Sequence, residues 1–406
     1  MSGLGEHSLT TLELALEWQS PEARHQERYL ARRVNLWRDV FPPGFKEALL
    51  GKAVGDTVEK TYQPGEAIPD HDPKLIHRVP RSRFQRRTVG GRVIEPARGR
   101  FYPRGMLGDM LGVYPQDSRP GRIIELDASN MVVDLNHPLA GFPLTLRATI
   151  LDLADKATET GGRLTCWLEE IADSGPGMQR RHNGHPTSFD LQDGLRRLDE
   201  TEDALFYASP RIIGHVDAQA GAFLEQTYAD SLSSLPSGAK VLDLMSSVLS
   251  HIPEHLDLHV TGLGLNLEEM EANPRLADRV VHDLNAAPKL PFPDKSFDAV
   301  TCSLSIEYLT SPQAVIAECA RVLRPGGMLL VGISSRWFPT KAVRMWMDLH
   351  EFERIGLVLE YFQTVPALTD LRTVSIRNWW RPEDDPHIDQ TLTSDPVCVV
   401  MGTVQD

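Results

Sequence analysis

The chain has 406 residues, 41% of them hydrophobic and 24% charged, with 42 basic against 56 acidic side chains for a net charge of −14. That length accommodates two or three domains with cores of their own, and the acidic balance argues against nucleic acid or an anionic membrane surface as a general partner. No apolar run reaches the roughly 20 residues of a membrane helix, no export signal is visible at the N-terminus, and Cys166, Cys302, Cys319 and Cys398 share no ligand spacing, which reads as reduced thiols in a cytoplasmic protein without a metal site.

The first half carries short β-like runs separated by Gly/Pro turns. Leu9 to Trp18 is one, Met131 to Leu135 another, and Leu144 to Leu153 alternates in and out. Between them lie Pro43 to Val58, a short helix, a turn and the start of a strand, then His77-Arg-Val-Pro-Arg-Ser-Arg-Phe84 and Val132-Val-Asp-Leu-Asn-His-Pro-Leu-Ala-Gly141. This order resembles the FKBP-type prolyl isomerases of the SlyD class. The resemblance implies an α+β domain over residues 8–172, with a chaperone-like flap insert at about 86–130, whose partner is a protein or peptide client. Members of that class bury the substrate proline among aromatic rings. Here Ala67-Ile-Pro69 stands for the usual A-Y-G and Leu146 for a phenylalanine of the last strand. The expected cleft walls are Val40, Phe41, Phe45, Ile68 and Leu146, too poor in aromatics to hold proline well. A binding module with weak or no isomerase activity is the expectation. Arginines crowd the insert and its approach (Arg78, Arg81, Arg83, Arg86, Arg87, Arg92, Arg98, Arg100 and Arg104). They suit RNA near Phe101 and Tyr102 or an acidic protein surface, and the acidity of the whole chain disfavours RNA.

Asp173 to Ser188 is rich in Gly, Pro and small polar residues and reads as a linker. Beyond it, strands alternate with helical patterns, the signature of a parallel α/β sheet. Tyr207 to Asp217 precedes a helix to Leu232. Lys240-Val-Leu-Asp-Leu244 is a buried strand closed by an acid, His259 to Leu263 a second strand, and a helix starts near Leu267. Val280 to Asn285 and Leu290 to Ser303 follow, then a helix over Ile306 to Leu323 that stops at Pro325-Gly-Gly327, a strand from Met328 to Ile333, and closing runs at Thr373 to Trp379 and Val397 to Val404.

The order Val241-Leu-Asp-Leu244, Asp283-Leu-Asn285, Leu290-Pro-Phe-Pro-Asp-Lys-Ser-Phe-Asp-Ala-Val300 and Glu318-Cys-Ala-Arg-Val-Leu-Arg-Pro-Gly-Gly327 resembles the class I S-adenosylmethionine (SAM)-dependent methyltransferases, type 11-like. The resemblance implies a Rossmann-like α/β domain over residues 189–406 with a seven-stranded mixed sheet. It departs at two places. Asp243-Leu-Met-Ser-Ser247 replaces the D-x-G-x-G loop, and Gly264 stands where an acid normally holds the cofactor ribose; a subgroup carrying DLMSS-x-x-SH-x-P with GLG-x-N is similar. The implied cofactor residues are Asp243, Met245, Ser246, Ser247, Gly264, Asn266, Asp283, Leu284 and Ser303, with Asp283 at the adenine and Asn266 or Glu268 as substitutes at the ribose. After the fourth strand, Ser303 to Tyr308 lacks the N/D-P-P-Y pattern for planar amino groups, which points to a small-molecule or thiol-like acceptor. Glu307, Tyr308 and His251 are the candidate proton acceptors. Tyr207, His215, Arg336 and Lys341 are candidates for substrate contact, the two cations for an anionic group. The rival reading is a non-catalytic folding or scaffold protein with a degenerate cofactor pocket, or a prolyl isomerase or chaperone.

Overall fold

The computed structural model describes residues 3–89, 92–108, 112–155 and 162–405, and the chain divides into two compact units: residues 1–188 with 376–378, and 189–375 with 379–406. In the N-terminal unit, strands β1 (Ser8–Gln19), β2 (Arg24–Asn35), β3 (Thr57–Tyr62) and β8 (Leu144–Asp155) form an antiparallel sheet in the order β2-β1-β8-β3. Along β1 the alternation sets Leu12, Leu14, Leu16 and Trp18 into the core, as the period of two requires. Phe45 and Leu49 of helix α1 (Phe45–Leu49) and Trp167 and Ile171 of α2 (Trp167–Ala172) complete that core.

A second antiparallel sheet, built from β4 (Ile76–Pro80), β5 (Phe101–Pro103), β6 (Pro120–Leu126) and β7 (Asn130–Asp134), runs in the order β4-β7-β6-β5. Phe84, Tyr102, Met106, Leu107, Ile123, Met131 and Val133 give it a core of its own. Because Ile76 pairs with Asp134 and Pro80 with Asn130, this inserted element is wider than the expected 86–130, of which 90–91 and 109–111 lie outside the described residues. The expected linker is not a free tether. Met178 and Gln179 are buried, Gln179 donates to Glu27 at 3.0 Å, and Arg180 donates to the Pro138 carbonyl at 2.9 Å while its own carbonyl accepts from Arg122 at 2.6 Å. Its polar composition hid these side-chain bonds.

In the C-terminal unit the sheet runs β11-β10-β9-β12-β13-β15-β14, with β9 (Ala239–Leu244), β10 (Leu258–Gly264), β11 (Asp278–Val281), β12 (Phe297–Ser303), β13 (Leu323–Ser334), β14 (Leu368–Arg377) and β15 (Val397–Val404). The five strands from β11 to β13 are parallel, and β15 runs antiparallel to β13. Strand order reverses at β9, so a crevice opens between the C-terminal ends of β9 and β12, where sheets of this kind bind ligands. Helix α3 (Ala218–Leu232) buries Ala220, Leu224, Tyr228 and Leu232, one stripe at a spacing of four. Asp217 caps it, accepting from the backbone of Gln219 at 3.0 Å and Ala220 at 3.1 Å, a cap that contributes ~1 kcal/mol. The helix expected over Ile306 to Leu323 is shorter: Ile306–Tyr308 is a 3₁₀ turn and helix α5 covers Pro312–Val322, with Pro312 at its first position. Strand β13 begins already at Leu323, which pairs with Phe297 ahead of an irregularity in the ladder.

Candidate functional site

A cleft of about 300 Å³ lies at the C-terminal ends of the strands of the C-terminal unit. One side is formed by Met245, Ser246 and Ser247 after β9, Gly264, Leu265 and Asn266 after β10, Asp283 and Leu284 after β11, and Leu304 and Ser305 after β12. The altered loop keeps the backbone shape that glycine normally supplies: Met245 takes φ 56, a left-handed conformation that costs a non-glycine residue of order 1 kcal/mol. The neighbouring strand end accommodates this loop. A Cβ at Gly264 would stand 2.2 Å from the Ser246 carbonyl oxygen, so no side chain, and hence no ribose-binding acid, fits there.

Asp243 does not line the cleft. It is buried and accepts from Ser246 Oγ at 2.5 Å, Ser250 Oγ at 2.7 Å and Thr301 Oγ1 at 3.3 Å. Burial pushes its carboxyl up to about 6, against the pull of those hydroxyls. Its work is to fix the loop. Glu269 of helix α4 (Leu267–Glu271) does reach the cleft, as do Asp203 and Asp283, whereas Glu268 is exposed. Glu269 accepts from Ser247 Oγ at 2.6 Å and from the Arg211 backbone at 2.7 Å. Asn266 is occupied at both ends, capping α4 through the Glu269 backbone at 3.1 Å and donating to the Tyr207 carbonyl at 2.9 Å. Asp283 closes a turn through the backbones of Asn285 and Ala286. Ser303 lies outside the lining, with its hydroxyl 3.0 Å from that of Tyr228.

Another part of the lining is aromatic. Tyr207, Tyr308, Trp337 and Phe338 line it with His215, Arg211 and Arg336. The Arg211 guanidinium lies 4.6 Å from the centre of the Phe206 ring and 5.3 Å from that of Phe338, stacking that favours a planar cation. Burial keeps His215 below the ordinary imidazole range, so it is neutral near pH 7. Tyr308 accepts from the Phe338 backbone at 2.9 Å.

Three candidates stand elsewhere. Lys341 is 0% exposed and bonds the Thr201 carbonyl at 2.6 Å and Asp203 at 3.1 Å; its charge is consumed inside an ion network with Arg197, so it offers nothing to a substrate. His251 packs against Gly221, and burial pushes its ring down to about 4, behind the lining. Glu307 is 1% exposed with neither carboxyl oxygen hydrogen-bonded among the described residues, and burial pushes it up to about 7. Sequence reasoning missed Arg211, Glu269, Asn285, Trp337, Phe338 and His387. For Glu269 the signal was present, three residues beyond the capping Asn266.

In the N-terminal unit, Phe45, Ile68 and Leu146 are buried in the core and are not free cleft walls, while Val40 is exposed and Phe41 partly so. The insert's arginines are largely engaged within that unit: Arg86 pairs with Glu95 at 2.7 Å, Arg78 with Asp127 at 3.2 Å, and Arg98 and Arg104 bond backbone carbonyls.

Comparison with known proteins supports the class of the C-terminal unit. Residues 244–331 match the methyltransferase domain family; this unit carries a class I SAM-dependent methyltransferase domain, and SAM is the cofactor of that class. The chain is 42% identical to 27-O-demethylrifamycin SV methyltransferase of Amycolatopsis mediterranei over 82 residues, 19% of this chain and 30% of the relative. It is 41% identical to the ubiquinone/menaquinone biosynthesis C-methyltransferase UbiE of Laribacter hongkongensis over 73 residues, 18% and 29% of the two chains. To demethylmenaquinone methyltransferase of Beutenbergia cavernae it is 29% identical over 220 residues, half of this chain and 80% of the relative. The chain spans less than half the length of the first relatives it matches.

Proposed function

We propose that the protein transfers a methyl group from SAM to a small organic acceptor in the C-terminal cleft. The observation that carries this reading is the close approach of the Ser246 carbonyl to Gly264, which preserves a backbone cradle for a ligand although the usual glycines are gone. The residues suit the cofactor: Met245 to Ser247, Gly264 to Asn266 and Leu284 wall a slot of ligand size, and Glu269 and Asp283 present acceptors for hydroxyl and amino groups. Glu269, one turn into α4, stands in for the missing strand-end acid at the ribose. SAM, when bound, supplies an electrophilic methyl group on a sulfonium. The chain's own part is to exclude water and to orient the acceptor against Tyr207, Tyr308 and Phe338. The relatives' names carry demethylmenaquinone and 27-O-demethylrifamycin SV as acceptors, and an organic acceptor of that kind fits these aromatic walls. Among the described residues no helix is long and apolar enough to cross a membrane, and we take the protein to act in the cytoplasm.

The N-terminal unit, in this reading, is a SlyD-like FKBP module over residues 8–172 that binds a protein or peptide client and isomerises proline weakly or not at all. An antiparallel sheet that carries a second sheet with its own core supports it. Incubation with methyl-labelled SAM and a panel of quinols, phenols and thiols tests the main proposal. Label is expected in one acceptor class; no transfer to any, together with no SAM binding, would favour the scaffold reading.

A further inference from the structure

Arg336 follows the last residue of β13 closely and lines the cleft. Its Nε donates to Asp395 at 3.1 Å. Among the described residues its two terminal nitrogens make no hydrogen bond, neither is enclosed, and 34% of the side chain is exposed. Asp395 is itself fixed. It is buried, it accepts from the buried Arg381 at 2.6 Å, and its backbone donates to Asp217 at 2.6 Å. Arg381 also bonds Asp385 at 2.9 Å, which accepts from the His387 backbone at 2.8 Å, so the loop between β14 and β15 is anchored as a whole. Charge-assisted bonds of this kind rigidify what they join. The open end of Arg336 is thus pre-oriented, unlike that of a free surface arginine, and a bond to it costs less ordering.

The neighbouring charges are engaged. Asp203 lies against Arg197 at 2.7 Å and Lys341 at 3.1 Å. The Arg211 guanidinium stacks on Phe206, with Nη2 on the Phe206 carbonyl at 3.2 Å and Nη1 enclosed. Among the described residues of the lining, Arg336 is the cation whose terminal nitrogens stay open. Phe338, on the same loop, sets an aromatic surface: its ring centre lies 6.0 Å from that of Tyr308 and 6.5 Å from that of Tyr207. Rings so arranged offer faces and edges on which a planar apolar body packs.

We propose that the methyl acceptor is an aromatic acid, its ring packed on Tyr308 and Phe338 and its carboxylate held by the terminal nitrogens of Arg336, the residue that sets specificity. This rests on the methyltransferase reading. The planar guanidinium fork matches the two oxygens of a carboxylate. A phosphate ester, with its second charge, calls for a second open cation, and Lys341 and Arg381 are both committed to buried acids. The methionine moiety of SAM carries a carboxylate too, and the test separates the two sources.

The full chain, loaded with S-adenosylhomocysteine, is titrated calorimetrically with salicylate, protocatechuate and caffeate and with the methyl ester of each. At least one acid is expected to bind wild type roughly tenfold or more tightly than its ester. That preference disappears in Arg336→Gln and is partly kept in Arg336→Lys, which retains the charge without the fork. S-adenosylhomocysteine binds all three proteins alike. Equal binding of acid and ester to wild type, the same preference in the glutamine variant, or no acid bound by a protein that takes up S-adenosylhomocysteine overturns the proposal. Weaker binding of S-adenosylhomocysteine by a glutamine variant that melts as wild type does assigns the fork to the cofactor's own carboxylate, and overturns it equally. Failure of S-adenosylhomocysteine to bind wild type overturns the methyltransferase reading and this proposal with it.

Discussion

Glu307→Gln removes an ionisable group from the interior while keeping its shape. Burial pushes the Glu307 carboxyl from its ordinary 4.5 up to about 7, opposed only in part by Arg354. A raised carboxyl favours the folded state while it is protonated. That contribution is complete below pH 4.5 and is lost as pH rises through about 7. At about 1.4 kcal/mol for each tenfold change in proton affinity, the loss amounts to roughly 3 kcal/mol. Wild-type stability in urea, followed by tryptophan fluorescence from pH 5 to pH 8, should therefore fall more steeply than that of the glutamine variant. The two proteins should be similar at pH 5, and the variant more stable at pH 8. Parallel curves would refute the argument, because they would mean that the Glu307 carboxyl is solvated or paired when ionised.

Gly264→Ala forces the Ser246 carbonyl to move, since the new Cβ would stand 2.2 Å from it; overpacking of about 1–3 kcal/mol should weaken SAM binding roughly tenfold or more, read from the ligand-induced rise in melting temperature, and an undiminished rise would contradict the cradle. Lys341→Met strips the partner from a buried network with Asp203 at 3.1 Å, so stability should drop by roughly 3 kcal/mol with product affinity little changed; a lost affinity at intact stability would restore Lys341 to the substrate. Isomerisation of a proline tetrapeptide in a protease-coupled assay should be weak or absent, because Ile68 and Leu146 are core side chains, and a rate close to that of SlyD-type enzymes would refute this.

The strands of the C-terminal sheet were readable because buried parallel strands are apolar runs: Val241 to Leu244 and Val397 to Val404 lie where the pattern puts them. Helix α5 is shorter than its sequence pattern because Ile306 and Tyr308 continue the apolar spacing although Pro312 begins the helix. At the site, chain-local features carried over: the loop after β9, Asn266 and Asp283 all border the cleft. Distant partners did not. Nothing in the sequence says that Lys341 neutralises Asp203, or that Asp395 binds both Arg336 and Arg381, since such pairings exist only after folding. His387 sits in a Pro- and Asp-rich stretch that reads as an ordinary turn, and the buried Arg381 that fixes it has no local signature. In the N-terminal unit, the polar run before Ser188 hid a segment that bonds Glu27 and Pro138 through side-chain amide and guanidinium groups.

The cleft bordered by Met245 to Ser247 and Gly264 is the proposed SAM site. Isothermal titration of the intact protein with S-adenosylhomocysteine measures binding there directly. One site per chain is expected, with affinity reduced at least tenfold in Asp243→Ala, about 1.4 kcal/mol, because Ser246 and Ser250 lose the carboxylate that holds their loop. A protein that gives no binding heat, or one whose affinity survives that substitution unchanged, contradicts the account.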